Sequence, residues 1–167
     1  MNKFFKKTLW IFLISFYFFQ IEIVRAIVPY YYFPTIKNLQ KQSLYIGKNA
    51  YQLLYFGQYE DSLNLAKLAV KINAKDEKLW LILAEAQIAN KKYKNALNSL
   101  NKAEQINSNI SEIYFAKSNV YLKISQQTKA KIALEKGIKI EPNNHKAIFQ
   151  LGNILLMEKN YLEAIKL

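Results

Sequence analysis

"HKAIFQLGNILLMEKNYLEAI", residues 145–165, decides how the rest of this chain is read. Apolar residues recur in it at intervals of three and four, first from Ala147 to Leu155 and again from Tyr161 to Ile165. That spacing lines one face of an α-helix, so the stretch reads as two amphipathic helices separated by a turn at Lys159. The second helix is begun and not completed, because the chain stops at Leu167 with no cap, Gly or Pro behind it.

Moving outward in steps of 34 residues, the same pattern returns. Small residues stand at Ala50, Ala84, Ser118 and Gly152, at Ser62, Ala96, Ala130 and Ala164, and at Ala69, Ala103 and Gly137. Bulky residues keep the same phase: Ile46, Trp80, Tyr114 and Ile148, then Tyr59, Tyr93, Gln127 and Tyr161, then Ile72, Ile106 and Ile140. Small side chains let two helix axes approach, and bulky ones fill the grooves beside them. Each unit therefore holds a first helix, such as "WLILAEAQIA" at 80–89, and a second, such as "KNALNSLNKAEQI" at 94–106. Gly57, Lys91, Ser125 and Lys159 mark the turn inside each unit, and "NAKD", "NSNI" and "EPNN" the turns between units. One such hairpin cannot bury both its faces, so neighbours must stack.

These features resemble the tetratricopeptide repeat family over residues 43–167. The fourth unit carries the resemblance best, with Leu151, Gly152, Tyr161 and Ala164, and Pro142 in the turn before it. Ala74 and Ser108 stand where that Pro is usual, Gln127 replaces the Tyr, and Asn49 and Lys117 replace a Leu. The resemblance implies an all-α fold: a right-handed superhelix of antiparallel helix pairs with about three and a half repeats. They are placed at 43–76, 77–110, 111–144 and an incomplete 145–167, preceded by an N-terminal signal or anchor helix. The counterparts of Leu100, Ala103, Leu134 and Gly137 would fall beyond Leu167, so the chain is expected to be a fragment, or to have its end covered by another surface.

"MNKFFKKTLWIFLISFYFFQIEIVRA", residues 1–26, has three lysines followed by an uncharged apolar run over 8–21. That run is shorter than the ~20 residues a spanning helix needs and suits a signal-peptide core. Val24 and Ala26 supply small residues before a candidate cut after Ala26, while Arg25 and the apolar "IVPYYYF" favour an uncleaved anchor. The expected location is thus exported, with membrane anchoring by the N-terminal segment as the alternative and residues 8–21 as the membrane contact. Pro29 and Pro34 bias their predecessors toward extended backbone, so residues 27–42 are expected to be a non-helical lead-in.

The formal charge of +12 raises nucleic-acid binding. Lys3, Lys6, Lys7 and Arg25 against Glu22 place +3 in the first 26 residues, and the other lysines are scattered singly along helical segments. That distribution reads as a solvated face, with no specific nucleic acid expected. The absence of Cys excludes disulfides and thiolate metal sites, and no His or Cys spacing suits a metal. "GKN" at 47–49 lacks the upstream Gly of a phosphate loop, and His145 opens a helix where a polar residue is ordinary. "NIS" at 109–111 matches a glycosylation acceptor formally. No catalytic residue and no cofactor is expected.

The resemblance instead implies a concave groove lined by the first helix of each unit. Its positions map to Leu81, Glu85, Ile88 and Ala89, then Phe115, Asn119, Leu122 and Lys123, then Phe149, Asn153, Leu156 and Met157. Asn119 and Asn153 are equivalent, and an amide can donate to and accept from a bound peptide backbone at once. Phe115 and Phe149 offer apolar contact, and they stand where some members of the family carry a lysine that clamps a C-terminal carboxylate, so that activity is not expected here. The expected function is a non-enzymatic scaffold binding a protein or peptide segment for assembly or recruitment at or outside a membrane. The alternative is the helper region of a larger enzyme, such as a glycosyltransferase, cut short at Leu167.

Overall fold

A computed structural model describes residues 36–166. The signal or anchor expected over 1–26 lies outside the described residues. Within them the chain forms eight helices and no strand: α1 (Ile36–Tyr55), α2 (Tyr59–Ile72), α3 (Glu77–Ala89), α4 (Tyr93–Ile106), α5 (Ser111–Lys123), α6 (Gln127–Ile140), α7 (His145–Met157) and α8 (Tyr161–Ala164). None of these is long and apolar enough to cross a membrane.

One expectation changes. The non-helical lead-in does not extend to residue 42, because α1 is already helical from Ile36. A proline restricts the residue before it, and residues after one are free to enter a helix.

Odd and even helices pair as antiparallel hairpins, and each even helix then packs on the next odd one. Odd helices also touch each other, α1 with α3 and α3 with α5, so they form one continuous layer with the even helices behind it. Burial follows from this layering. On α4 only Ala96, Ser99, Leu100 and Ala103 are buried, a single stripe at three and four. On α3 the buried set Leu79, Leu83, Ala84, Ala86 and Gln87 wraps further round, because that helix has neighbours on several sides.

The small-residue series are the places where helices meet. Ala50, Ala84, Ser118, Ser62, Ala96, Ala130, Ala69 and Ala103 have no solvent exposure. At Gly137 on α6 even a methyl group is excluded, since a Cβ there would collide with the ring of Phe115 from α5. Ser62 Oγ donates to the Ala50 carbonyl at 2.7 Å and ties α2 to α1. Ser118 Oγ, equally buried, has no partner.

The turns inside the hairpins share one geometry. Gly57, Lys91, Ser125 and Lys159 all have positive φ, between 58° and 75°. In each hairpin this residue donates its N–H three residues back and its successor donates five back, as in Lys91 to Ile88 (2.9 Å) and Lys92 to Gln87 (2.8 Å). That is the Schellman arrangement, which satisfies the last carbonyls of a helix and reverses the chain. Glycine tolerates the left-handed region at no steric cost, but only the first turn uses it.

The turns between hairpins use two chemistries. Where Pro is missing, an aromatic residue six positions on fastens the turn: Trp80 Nε1 donates to the Ala74 carbonyl at 2.8 Å, and Tyr114 Oη to the Ser108 carbonyl at 2.9 Å. The third turn has Pro142, and the equivalent of Trp80 is Ile148, which has nothing to donate. The N-terminus of α3 is capped by Asp76, which accepts from Lys78 N–H, and that of α7 by Asn144, which accepts from Ala147 N–H. Glu141, at the end of α6, accepts from Ser111 Oγ at the start of α5 at 2.7 Å.

Candidate functional site

The odd-helix layer carries a groove of about 670 Å³. It crosses the helices obliquely. Glu85, Ile88 and Ala89 line it from the C-terminal half of α3, Glu112, Phe115, Ala116 and Asn119 from the N-terminal half of α5, and Lys146, Ala147 and Gln150 from the first turns of α7. Leu54 at the end of α1, Tyr59 at the start of α2 and Asn144 before α7 complete the lining.

Five of the twelve residues expected from the sequence therefore meet here: Glu85, Ile88, Ala89, Phe115 and Asn119. The others are placed elsewhere. Leu81 is half-buried against the core shared by α3, α4 and α5. Leu122, Lys123, Phe149, Asn153, Leu156 and Met157 are exposed outside this lining, with Phe149 69% accessible. The displacement has a physical cause. A shift of 34 residues finds equivalent positions, but successive hairpins are rotated against one another, so the turn of α7 that faces the groove is not the turn equivalent to the one on α3. The missed residues Glu112, Ala116, Lys146 and Gln150 lie one turn nearer the N-terminus than the mapped set, on the same faces. Glu112, Phe115, Ala116 and Asn119 are a run of three and four, which the sequence displays once the turn is known.

Phe115 is held from behind. Its ring rests on Gly137 and packs against the core formed by α6 and α7, while its other side faces the groove. Asn119 is exposed, and Gln150 is half-buried. Burial raises the carboxyl of Glu85 above the ordinary carboxylate range, and the Glu112 carboxylate pushes it the same way. Ser111 Oγ, whose single proton goes to Glu141 at 2.7 Å, lies 3.2 Å from the Glu112 carboxylate. Among the described residues no Lys or Arg nitrogen pairs with either acid.

A second polar cluster lies outside the groove, between α4, α5 and α6. Lys117, nearly buried, pairs with Glu104, and Tyr114 and Lys136 stand beside them. Partial burial works to raise the Glu104 carboxyl, but the hydrogen bond and charge of Lys117, with Tyr114 and Lys136, outweigh it and leave the group below its ordinary value. This pair joins the second hairpin to the third. Among the described residues, no group of three or more His, Cys, Asp or Glu is placed to hold a metal ion.

A stack of helix hairpins with a groove along its first helices is an α-solenoid of the binding kind. The comparisons narrow the class. Tetratricopeptide repeat family models match residues 77–110, 111–144 and 133–166, and the chain belongs to the tetratricopeptide repeat family. No curated protein matches it in sequence. Solved structures share its fold: MamA, with a TM-score of 0.69 at 22% identity over 78% of this chain and 81% of that one. The first tetratricopeptide domain of Spaghetti (RPAP3), bound to the HSP90 peptide SRMEEVD, gives 0.68 at 19% over 72% and 95%. The Yersinia enterocolitica type III secretion chaperone SycD, in complex with a peptide of the translocator YopD, gives 0.66 at 16% over 71% and 95%.

Proposed function

We propose that the chain is an interaction module that holds an extended segment of another protein in the groove across α3, α5 and α7 and performs no chemistry itself. The observation that carries this reading is the make-up of the lining. Half-buried apolar surface from Ile88 and Phe115 alternates with amides from Asn119 and Gln150, on helices fixed by a packed core. Apolar patches supply affinity, and amides that both donate and accept satisfy a peptide backbone without demanding one side chain. Two proteins of the same fold, RPAP3 and SycD, were solved with peptides, which supports the mode of action without naming a partner. The apolar run at 8–21 and the small residues Val24 and Ala26 support placement of the module outside the cytoplasm or at a membrane, where it would serve assembly or recruitment.

The test is selection of a peptide library displayed on phage against the purified 167-residue chain, followed by binding measurements with Asn119→Ala and Gln150→Ala. Enriched peptides should lose about tenfold in affinity to each variant, with helicity unchanged. Peptides that bind both variants as tightly as the parent would place binding elsewhere. For location, cell fractionation of a tagged chain should find it in exported or membrane fractions, and recovery in the cytoplasm alone would overturn that part.

A further inference from the structure

We propose that the groove reads a basic side chain, Lys or Arg, in the segment it binds, through Glu85 and Glu112. The inference rests on the groove-binding reading above and specifies its ligand. Glu85 comes from α3 and Glu112 from α5, so two helices of neighbouring hairpins bring the carboxylates to one cavity. They interact electrostatically, and Glu85 is half-buried with no cation beside it among the described residues. Two acids that repel each other on the wall of one groove are relieved by one ammonium or guanidinium placed between them, and such charge-assisted hydrogen bonds are the strong ones. Lys146 lines the same cavity from α7, and it pairs with neither acid. Ile88 and Phe115 beside the acids suit the aliphatic stem of a long basic side chain.

The bulk charge of the protein predicts the opposite preference. A chain of +12 attracts acidic peptides by its long-range field, so a preference for basic ones can come only from local groups. This makes the test selective. Fluorescein-labelled nonapeptide pools, degenerate in uncharged residues except for a central Lys, Gln or Glu, are titrated against the full chain by fluorescence anisotropy. The Lys pool should bind about tenfold tighter than the Gln pool, and the Glu pool weakest. Glu85→Gln and, separately, Glu112→Gln should each collapse the ratio of Lys to Gln, with circular dichroism confirming that each variant folds. Equal binding of the Lys and Gln pools would overturn the inference while leaving groove binding in place. A Lys preference that survives both substitutions would also overturn it. Binding of no pool, or binding indifferent to Asn119→Ala, would remove the groove reading with it.

Discussion

Ser118 and Ser62 offer a test in which the same substitution has opposite signs. Both hydroxyls are fully buried at helix contacts, but Ser62 donates to the Ala50 carbonyl and Ser118 has no partner. A buried polar group left unpaired costs about 1–3 kcal/mol, and Ser lowers helix stability against Ala by about 0.5 kcal/mol. Removing one oxygen leaves a void of roughly 12 Å³, a loss near 0.3 kcal/mol at ~24 cal/mol per Å³. Ser118→Ala is therefore expected to stabilise the fold by about 1.5 kcal/mol, raising the melting temperature by about 6 °C for a domain of this size. Alanine already occupies the equivalent positions 50 and 84 with no exposure, so the site accepts it without strain. Ser62→Ala gains the same helix preference and opens the same void, but loses a hydrogen bond worth about 1 kcal/mol, for a net loss of about 0.8 kcal/mol. Thermal and urea melts followed by circular dichroism at 222 nm would measure both. A neutral or destabilising Ser118→Ala, or a stabilising Ser62→Ala, would refute the reasoning, because the opposite signs come from the difference in hydrogen bonding.

Ala74→Pro is expected to stabilise by about 0.5–1 kcal/mol, because Asn73 (φ −139°, ψ 87°) has nearly the backbone of Glu141 (φ −127°, ψ 80°), which precedes Pro142 at the equivalent position; urea melts would read the gain. Trp80→Phe should lose about 1 kcal/mol with its hydrogen bond to Ala74. In the pair between hairpins, Glu104→Gln should cost about 2 kcal/mol because it strands the nearly buried Lys117, whereas Lys117→Met should cost less than about 1 kcal/mol because Glu104 reaches water. The Glu104 carboxyl lies below its ordinary value in the fold, so this stabilisation is present above about pH 4.5 and is lost as the pH falls through the folded pKa, which melts over a pH series would detect. Glu85 has the opposite sign: its folded pKa is raised, so its ionisation opposes folding at neutral pH. Glu85→Gln should raise the melting temperature at pH 7, with the gain shrinking below the folded pKa and absent below 4.5.

The helical phase was legible because it rests on side-chain volume, which sequence states directly. Residues 57, 91, 125 and 159 recur at 34-residue intervals, and all four take the left-handed conformation although only one is Gly. Small residues at 50, 84 and 118 are small because helices touch there. Half of the groove was not legible, because its lining depends on the rotation between hairpins, a property of packing that no fixed interval encodes. Mapping by equivalence placed Phe149 and Asn153 in the groove, whereas Lys146 and Gln150 occupy it. The turn fastenings escaped for a related reason. Ala74 and Ser108 read as departures from the family until Trp80 and Tyr114 are seen to compensate for the absent Pro.

Trp80 has a further consequence. It packs against both the core of α1–α3 and the core of α3–α5, while its indole N–H holds the turn between the first two hairpins. The only other tryptophan is Trp10, so in a Trp10→Phe background all indole emission would come from this one seam. Fluorescence would then report when the first hairpin peels away, and far-ultraviolet dichroism when the whole array melts. Coincidence or separation of the two curves would reveal whether the units come apart in concert or one by one from the end.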